Sequence, residues 1–135
     1  MNTPPEILIK KAMEARQNAY APYSSFRVGA ALLCKDGEIY TGCNVENASY
    51  GGTVCAERVA ITKAVSEGKR EFTAICIVGG ANEISNYCYP CGICRQFLSE
   101  LCYGDFKVIL YNGKDTVTYS LNELLPHSFS GKSIK

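Results

Sequence analysis

Apolar residues recur along the chain with two different periods, and each change of period marks a new element. Ile7, Leu8, Ala12 and Met13 follow at roughly helical spacing, Thr3 and Glu6 have the form of a capping box, and Pro4 suits a first helical turn. A helix is expected there, ending near Asn18, before Ala21-Pro22-Tyr23-Ser24-Ser25 opens a loop. Phe26 to Cys34 and Ile39 to Asn44 then read as strands, and the Asp36-Gly37 pair between them predicts an antiparallel hairpin. After a loop around Tyr50-Gly51-Gly52-Thr53, the positions Ala56, Val59, Ala60, Ala64 and Val65 predict an amphipathic helix stopped by Gly68.

The run from Thr73 to Val78 is apolar without a break and is followed by Gly79-Gly80, as expected of a central strand covered on both faces. Pro90 opens a third helix carrying Cys91, Cys94, Phe97, Leu98 and Leu101, and Val108 to Tyr111 reads as the next strand. Asn112-Gly113 turns the chain into a last strand, Val117 to Tyr119; Ser120 and Glu123 cap a short helix halted by Pro126. Gly131 to Lys135 reads as a loose tail. Strands interleaved with helices give an α/β class: a three-layer α/β/α sandwich on a mixed, roughly five-stranded sheet, antiparallel at the hairpin and parallel in its core. The 135 residues suit one domain, with its core at about 3–130.

Composition narrows the function. With 14 Lys+Arg against 13 Asp+Glu the net charge is +1, which gives no footprint for a phosphate backbone and argues against a nucleic-acid partner. The amino terminus lacks a basic start followed by an apolar stretch, and no apolar run reaches bilayer length, so no membrane partner and a cytoplasmic location are expected. In that reducing compartment eight cysteines read as metal ligands or reactive thiols rather than disulfides.

The chemistry concentrates in Cys55-Ala56-Glu57-Arg58 and Pro90-Cys91-Gly92-Ile93-Cys94-Arg95, each at a helix start. Free N–H groups and the positive end of the helix dipole favour thiolates there, and Cys91 and Cys94, one turn apart, share a face. If the two helix ends converge, Cys55, Cys91 and Cys94 hold one zinc ion, and the fourth tetrahedral position is left to water. Glu57, two positions after Cys55, can then carry protons. Zinc with three thiolates has a net charge of about −1, so hydrogen bonds should draw charge from the sulfurs; Arg58 is the first candidate and Arg95 the second. Two other readings stand beside this one. Cys88 precedes Cys91 by three residues and allows a closed four-thiolate structural site, and Cys91-Gly92-Ile93-Cys94 has the form of a redox dithiol. Cys34, Cys43, Cys76 and Cys102 read as small buried hydrophobes, and His127 as a surface residue.

The C-A-E and P-C-G-I-C-R-Q motifs, Tyr23 to Leu32, Gly42 to Ala48, and Leu124-Leu125-Pro126 with Phe129 together resemble the three-cysteine branch of the cytidine deaminase family over nearly the whole chain. Tyr89, where a serine is usual, and Gly51-Gly52-Thr53-Val54 depart from its pattern. The resemblance implies that the Asn44-Val45-Glu46 segment lies along a free pyrimidine nucleoside, with Asn44 and Glu46 hydrogen-bonding the ribose. It implies also that Phe26 packs near the base, that the Ala56 backbone contacts it, and that Tyr50 and Phe129 complete a neighbour's pocket in a homotetramer. The expected reaction is zinc-dependent hydrolysis of cytidine and 2′-deoxycytidine to uridine and 2′-deoxyuridine with release of ammonia, in pyrimidine salvage. Metal-activated water attacks C4, and Glu57 passes a proton to N3 and then to the departing amine. A related aminated heterocycle such as blasticidin is the alternative substrate.

Overall fold

A computed structural model describes residues 3–134. Helix α1 (Pro5–Arg16) buries Leu8, Ala12 and Arg16, one stripe repeating every fourth residue. The Thr3 capping box does not form: Pro4 is the N-cap and makes no side-chain cap bond. The ring of Pro5 pushes Pro4 into extended backbone, at φ −63 and ψ 143, so the helix begins one residue too late for Glu6 to reach back.

Strands β1 (Arg27–Cys34) and β2 (Ile39–Cys43) form the expected antiparallel hairpin, each one residue shorter than its apolar pattern. Helix α2 (Ala56–Ser66) leads to β3 (Phe72–Gly80), then α3 (Gly92–Leu101), β4 (Lys107–Tyr111), β5 (Thr116–Ser120) and α4 (Leu121–Leu124). The capping box of Ser120 with Glu123 forms as expected. The tail contains a 3-10 turn at Gly131–Ser133 closed by Ser130 and Ser133, where a loose end was expected; Lys135 lies outside the described residues.

The sheet order is β2-β1-β3-β4-β5, so β3 is central. Only β3 and β4 pair in parallel; β1 with β3 and β4 with β5 are antiparallel. The parallel core read from the sequence is therefore a single parallel pair. A continuous apolar run reports burial on both faces, and helices cover both faces of β1, β3 and β4 whichever way each strand runs.

Alternation along the strands sorts the core into two halves. On one face α1 places Leu8 and Ala12 against Ala31, Leu33, Ala74, Cys76, Val78 and Ile109. On the other, α2, α3 and α4 place Ala60, Ile61, Leu98 and Leu121 against Leu32, Ile75, Ile77, Val108 and Leu110. Each fully buried Leu or Ile contributes about 1.5–3 kcal/mol. Two glycines let the helices lie close. A Cβ at Gly29 would fall 2.0 Å from the Ala12 carbonyl on α1, and one at Gly42 would fall 2.4 Å from the Ala56 carbonyl on α2. Gly42 thus fixes the first turn of α2, where Cys55 and Glu57 stand. No helix among the described residues is long and apolar enough to cross a membrane.

Candidate active site

Cys55 is the N-cap of α2 and Cys91 the N-cap of α3, so both sit where the helix offers free N–H groups. The Cys94 N–H donates to Cys91 Sγ at 3.5 Å, which folds that first turn around its own sulfur. The sulfurs of Cys55, Cys91 and Cys94 lie within 4.8 Å of one another, with Cys55 Sγ 3.8 Å from Cys91 Sγ. Zn–S bonds of about 2.3 Å separate the sulfurs of a tetrahedral site by about 3.8 Å, so the trio fits one zinc ion. Cys94 is buried and Cys91 exposed, which leaves the cluster one open side.

Electrostatics bind the cluster to its neighbours. The Cys55 thiol is drawn down to about 5, first by the hydrogen bond from Cys94, with Arg58 and Cys91 adding to it against burial. Cys94, the donor in that pair, is pushed up. Arg58 donates from Nη2 to Cys55 Sγ at 3.4 Å and to the Thr53 carbonyl at 3.2 Å. Its Nε is buried and has no hydrogen-bond partner among the described residues. Glu57 is 4% exposed, and burial, with the nearby Cys55 charge, pushes its carboxyl up to about 7. A carboxyl with that value exchanges protons near neutrality.

Two expectations change here. Arg95 makes no bond to sulfur: it donates from Nε to the Pro90 carbonyl at 2.8 Å and from Nη1 to the Leu124 carbonyl at 2.7 Å. Its side chain runs toward the end of α4 and ties the loop before Cys91 to that helix. Cys88 is outside the sulfur cluster, so the four-thiolate site is not built. Its sulfur packs toward Gly79, where an added Cβ would meet it at 2.7 Å, and burial pushes the thiol up to about 12. Cys34, Cys76 and Cys102 are buried as expected, Cys43 is half-buried, and His127 is exposed.

The residues expected to meet a nucleoside have polar atoms already engaged within the chain. Phe26 is exposed at the head of β1, its ring edge beside Gly79, and lines a cleft of about 650 Å³ with Gly80, Asn82, Asn86 and Tyr87. Asn44, 8% exposed, donates from Nδ2 to the Phe26 carbonyl at 2.8 Å and accepts the Val28 N–H at 2.9 Å. Val45 exchanges both backbone bonds with Val54, which places the Asn44-Val45-Glu46 segment beside the lead-in to Cys55. Glu46 accepts the N–H groups of Tyr23 and Ser24 and the Ser24 hydroxyl, and that hydroxyl holds its carboxyl below the ordinary value. Ala56 is buried in the first turn of α2. Tyr50 and Phe129 are 75% and 59% exposed. Tyr50 stands edge-on to Tyr23 at 5.9 Å over a second cleft of about 300 Å³ that Glu46 and Thr53 also line.

Three framing residues escape a reading of the sequence. Arg16 is buried and donates to the carbonyls of Arg27, Gly80 and Asn82, tying the head of β1 to the exit of β3. Its signal was the spacing of Leu8, Ala12 and Arg16, which continues the buried stripe. Gly79 makes room for Phe26 and Cys88, and Ser24 bonds both Glu46 and Phe26; neither carries a signal in an isolated sequence.

Three sulfurs assigned to a metal, with a buried carboxylate beside them that is not a ligand, are the division of labour of a zinc-dependent hydrolytic deaminase, and fold and site together define that class. A family model for the cytidine and deoxycytidylate deaminase zinc-binding region matches residues 3–110. A cytidine deaminase of Halalkalibacterium halodurans is 49% identical over 130 residues, covering 96% of each chain. One of Sporosarcina psychrophila is 47% identical over 130 residues, covering 96% of this chain and 93% of its own. The crystal structure of cytidine deaminase from Burkholderia pseudomallei matches with a TM-score of 0.87 at 46% identity, over 94% of this chain and 100% of that one. The chain belongs to the cytidine deaminase family.

Proposed function

We propose that the protein hydrolyses the C4 amine of free cytidine and 2′-deoxycytidine, giving uridine or 2′-deoxyuridine and ammonia, as a cytoplasmic enzyme of pyrimidine salvage. The observation that carries the reading is the pairing of the three-sulfur cluster with Glu57, a carboxyl buried in the first turn of α2 two residues after Cys55 and outside the ligand set. Cys55, Cys91 and Cys94 hold the zinc ion, one per subunit. Zinc bound there supplies Lewis acidity and brings the pKa of a water to near neutrality.

The chain's own residues divide the remaining work. Glu57 takes up a proton from the attacking water and delivers it to N3 as the C4–O bond forms, then takes up the proton of the new C4 hydroxyl and hands it to the amine as the C4–N bond breaks. Arg58 draws charge from the Cys55 sulfur through its 3.4 Å bond. Phe26 packs on the base, whose edge meets the Ala56 backbone. Asn44, with its oxygen committed to Val28, offers its remaining amide N–H to the ribose, and Glu46 accepts from the ribose hydroxyls. The exposed rings of Tyr50 and Phe129 complete the pocket of a neighbouring copy in a homotetramer; their exposure at the rim supports that reading.

The test is to incubate zinc-replete protein with cytidine and follow the ultraviolet change to uridine. Wild type should convert it, and Glu57→Ala should lower kcat by a factor on the order of 10²–10⁴ while keeping its zinc. No conversion by wild type would overturn the assignment, and a higher kcat/KM on blasticidin than on cytidine would move it to a related heterocycle.

A further inference from the structure

We propose that Ser24 is a positioning residue for nucleoside binding, fixing Glu46 and Phe26 relative to one another through a single hydroxyl. The proposal rests on the nucleoside reading above and adds to it a residue that touches neither metal nor base. The Ser24 hydroxyl has one hydrogen to give and lone pairs to receive. It donates to Glu46 Oε2 and accepts the Phe26 N–H at 3.0 Å. Glu46 Oε1 is held independently, by the N–H groups of Tyr23 at 2.9 Å and Ser24 at 3.1 Å. Among the described residues, the Ser24 hydroxyl is therefore the one group that locates Oε2, the oxygen left for the ribose.

The same hydroxyl fixes the other half of the pocket. The Phe26 peptide is gripped on both sides, its N–H by Ser24 and its carbonyl by Asn44 Nδ2 at 2.8 Å. Ser25, between the two contacts, sits at φ 59 in the left-handed region that disfavours residues with a side chain. A backbone of that kind persists where its surroundings over-determine it. Here they are the bond from the Ser25 N–H to the Ala21 carbonyl at 3.0 Å and the Ser24 links on either side. Loss of the hydroxyl frees Oε2 and leaves the Phe26 N–H without its partner, so ribose and base contacts loosen together. The sulfur cluster, carried on α2 and α3, makes no bond to Ser24. Binding should suffer and the chemical step should not.

Steady-state kinetics on the full-length, zinc-replete protein tests this. Ser24→Ala should raise KM for cytidine about tenfold with kcat within about twofold, and Ser24→Thr, which keeps the hydroxyl, should return KM to within about threefold of wild type. Measured as a competitive inhibitor, 2′,3′-dideoxycytidine lacks the ribose hydroxyls that a carboxylate accepts from and keeps only the base contact to lose, so its Ki in Ser24→Ala should rise about threefold, less than the KM for cytidine. An unchanged KM, equal losses on both ligands, or no rescue by threonine would each overturn the proposal. Wild type inert on cytidine removes the function and this role together; active wild type with an unaffected Ser24→Ala removes only the role.

Discussion

The two sides of the site are built to different degrees of completion. On the metal side everything converges within one chain: two helix N-caps and one first-turn residue bring their sulfurs within 4.8 Å, Glu57 is buried beside them, and Arg58 is bonded to Cys55. On the nucleoside side the polar groups are spent on the chain itself, Asn44 on the Phe26 and Val28 backbone and Glu46 on Tyr23 and Ser24. Two rings assigned to that side, Tyr50 and Phe129, are largely exposed. The contrast teaches that a metal corner can be assembled from two helix starts once the fold brings them together, because each start presents its own donors. A pocket for a flat, polar ligand needs walls, and on the proposed reading a second copy supplies part of them.

Of the changes that probe this contrast, the one with the largest expected effect sharpens the metal side. Arg58→Gln removes the charge that Cys55 leans on while leaving all three sulfurs in place. Activity on cytidine should fall about 10- to 100-fold with zinc still near one ion per subunit by atomic absorption. Unchanged turnover would show that the sulfurs need no partner and would remove the argument from net charge.

The next effect separates the two sides directly. Phe129 is held to α3 through its backbone carbonyl, which accepts from Gln96 Nε2 at 2.9 Å, and its exposed ring has little to lose in the folded chain when truncated to alanine. If its work is done in another copy's pocket, KM should rise about tenfold with the melting temperature and zinc content unchanged. Wild-type activity should also fall on dilution into the dissociating range while each separated chain keeps its metal. Activity constant at every concentration, with Phe129→Ala behaving as wild type, would mean that one chain walls its own pocket and would break the comparison.

What could be read from the sequence follows the same division. Cys91 with Cys94, and Cys55 with Glu57, were legible because each spacing on one helix start is itself the geometry; that the two starts meet was implied by the family resemblance and not by the spacing. The hairpin at Asp36-Gly37 and the central place of β3 were legible for the same reason, as short-range patterns. Arg95 was not, because the residue after a motif can turn to either side of its helix, and only the position of the Leu124 carbonyl decides which. The direction of β1 against β3 was hidden because an apolar run records burial without polarity. Gly79 and Ser24 act through partners distant in the chain or through a loop conformation, Ser25 at φ 59, that composition does not announce.

The smallest effect concerns Tyr89, the residue that stands where a serine was expected and directly precedes the metal loop. Its neighbourhood is aromatic: the ring lies 6.0 Å from Tyr119 on β5 and 6.4 Å from Tyr87, with its hydroxyl 3.5 Å from that of Tyr119. What locates Cys91 is on the other side of the loop, where Arg95 grips the Pro90 carbonyl at 2.8 Å. Tyr89→Ser should therefore retain zinc, keep kcat/KM on cytidine within about twofold, and lower the melting temperature by less than about 5 °C. The Tyr119 phenol, held above its ordinary value chiefly by its hydrogen bond with Tyr89, should titrate at lower pH in the variant, which a carbon-13 NMR titration of its ring Cζ reads residue by residue. A loss of activity beyond about tenfold would mean that the aromatic cluster on the outer face braces the sulfurs, and that the metal corner is less self-contained than two helix ends and one arginine make it.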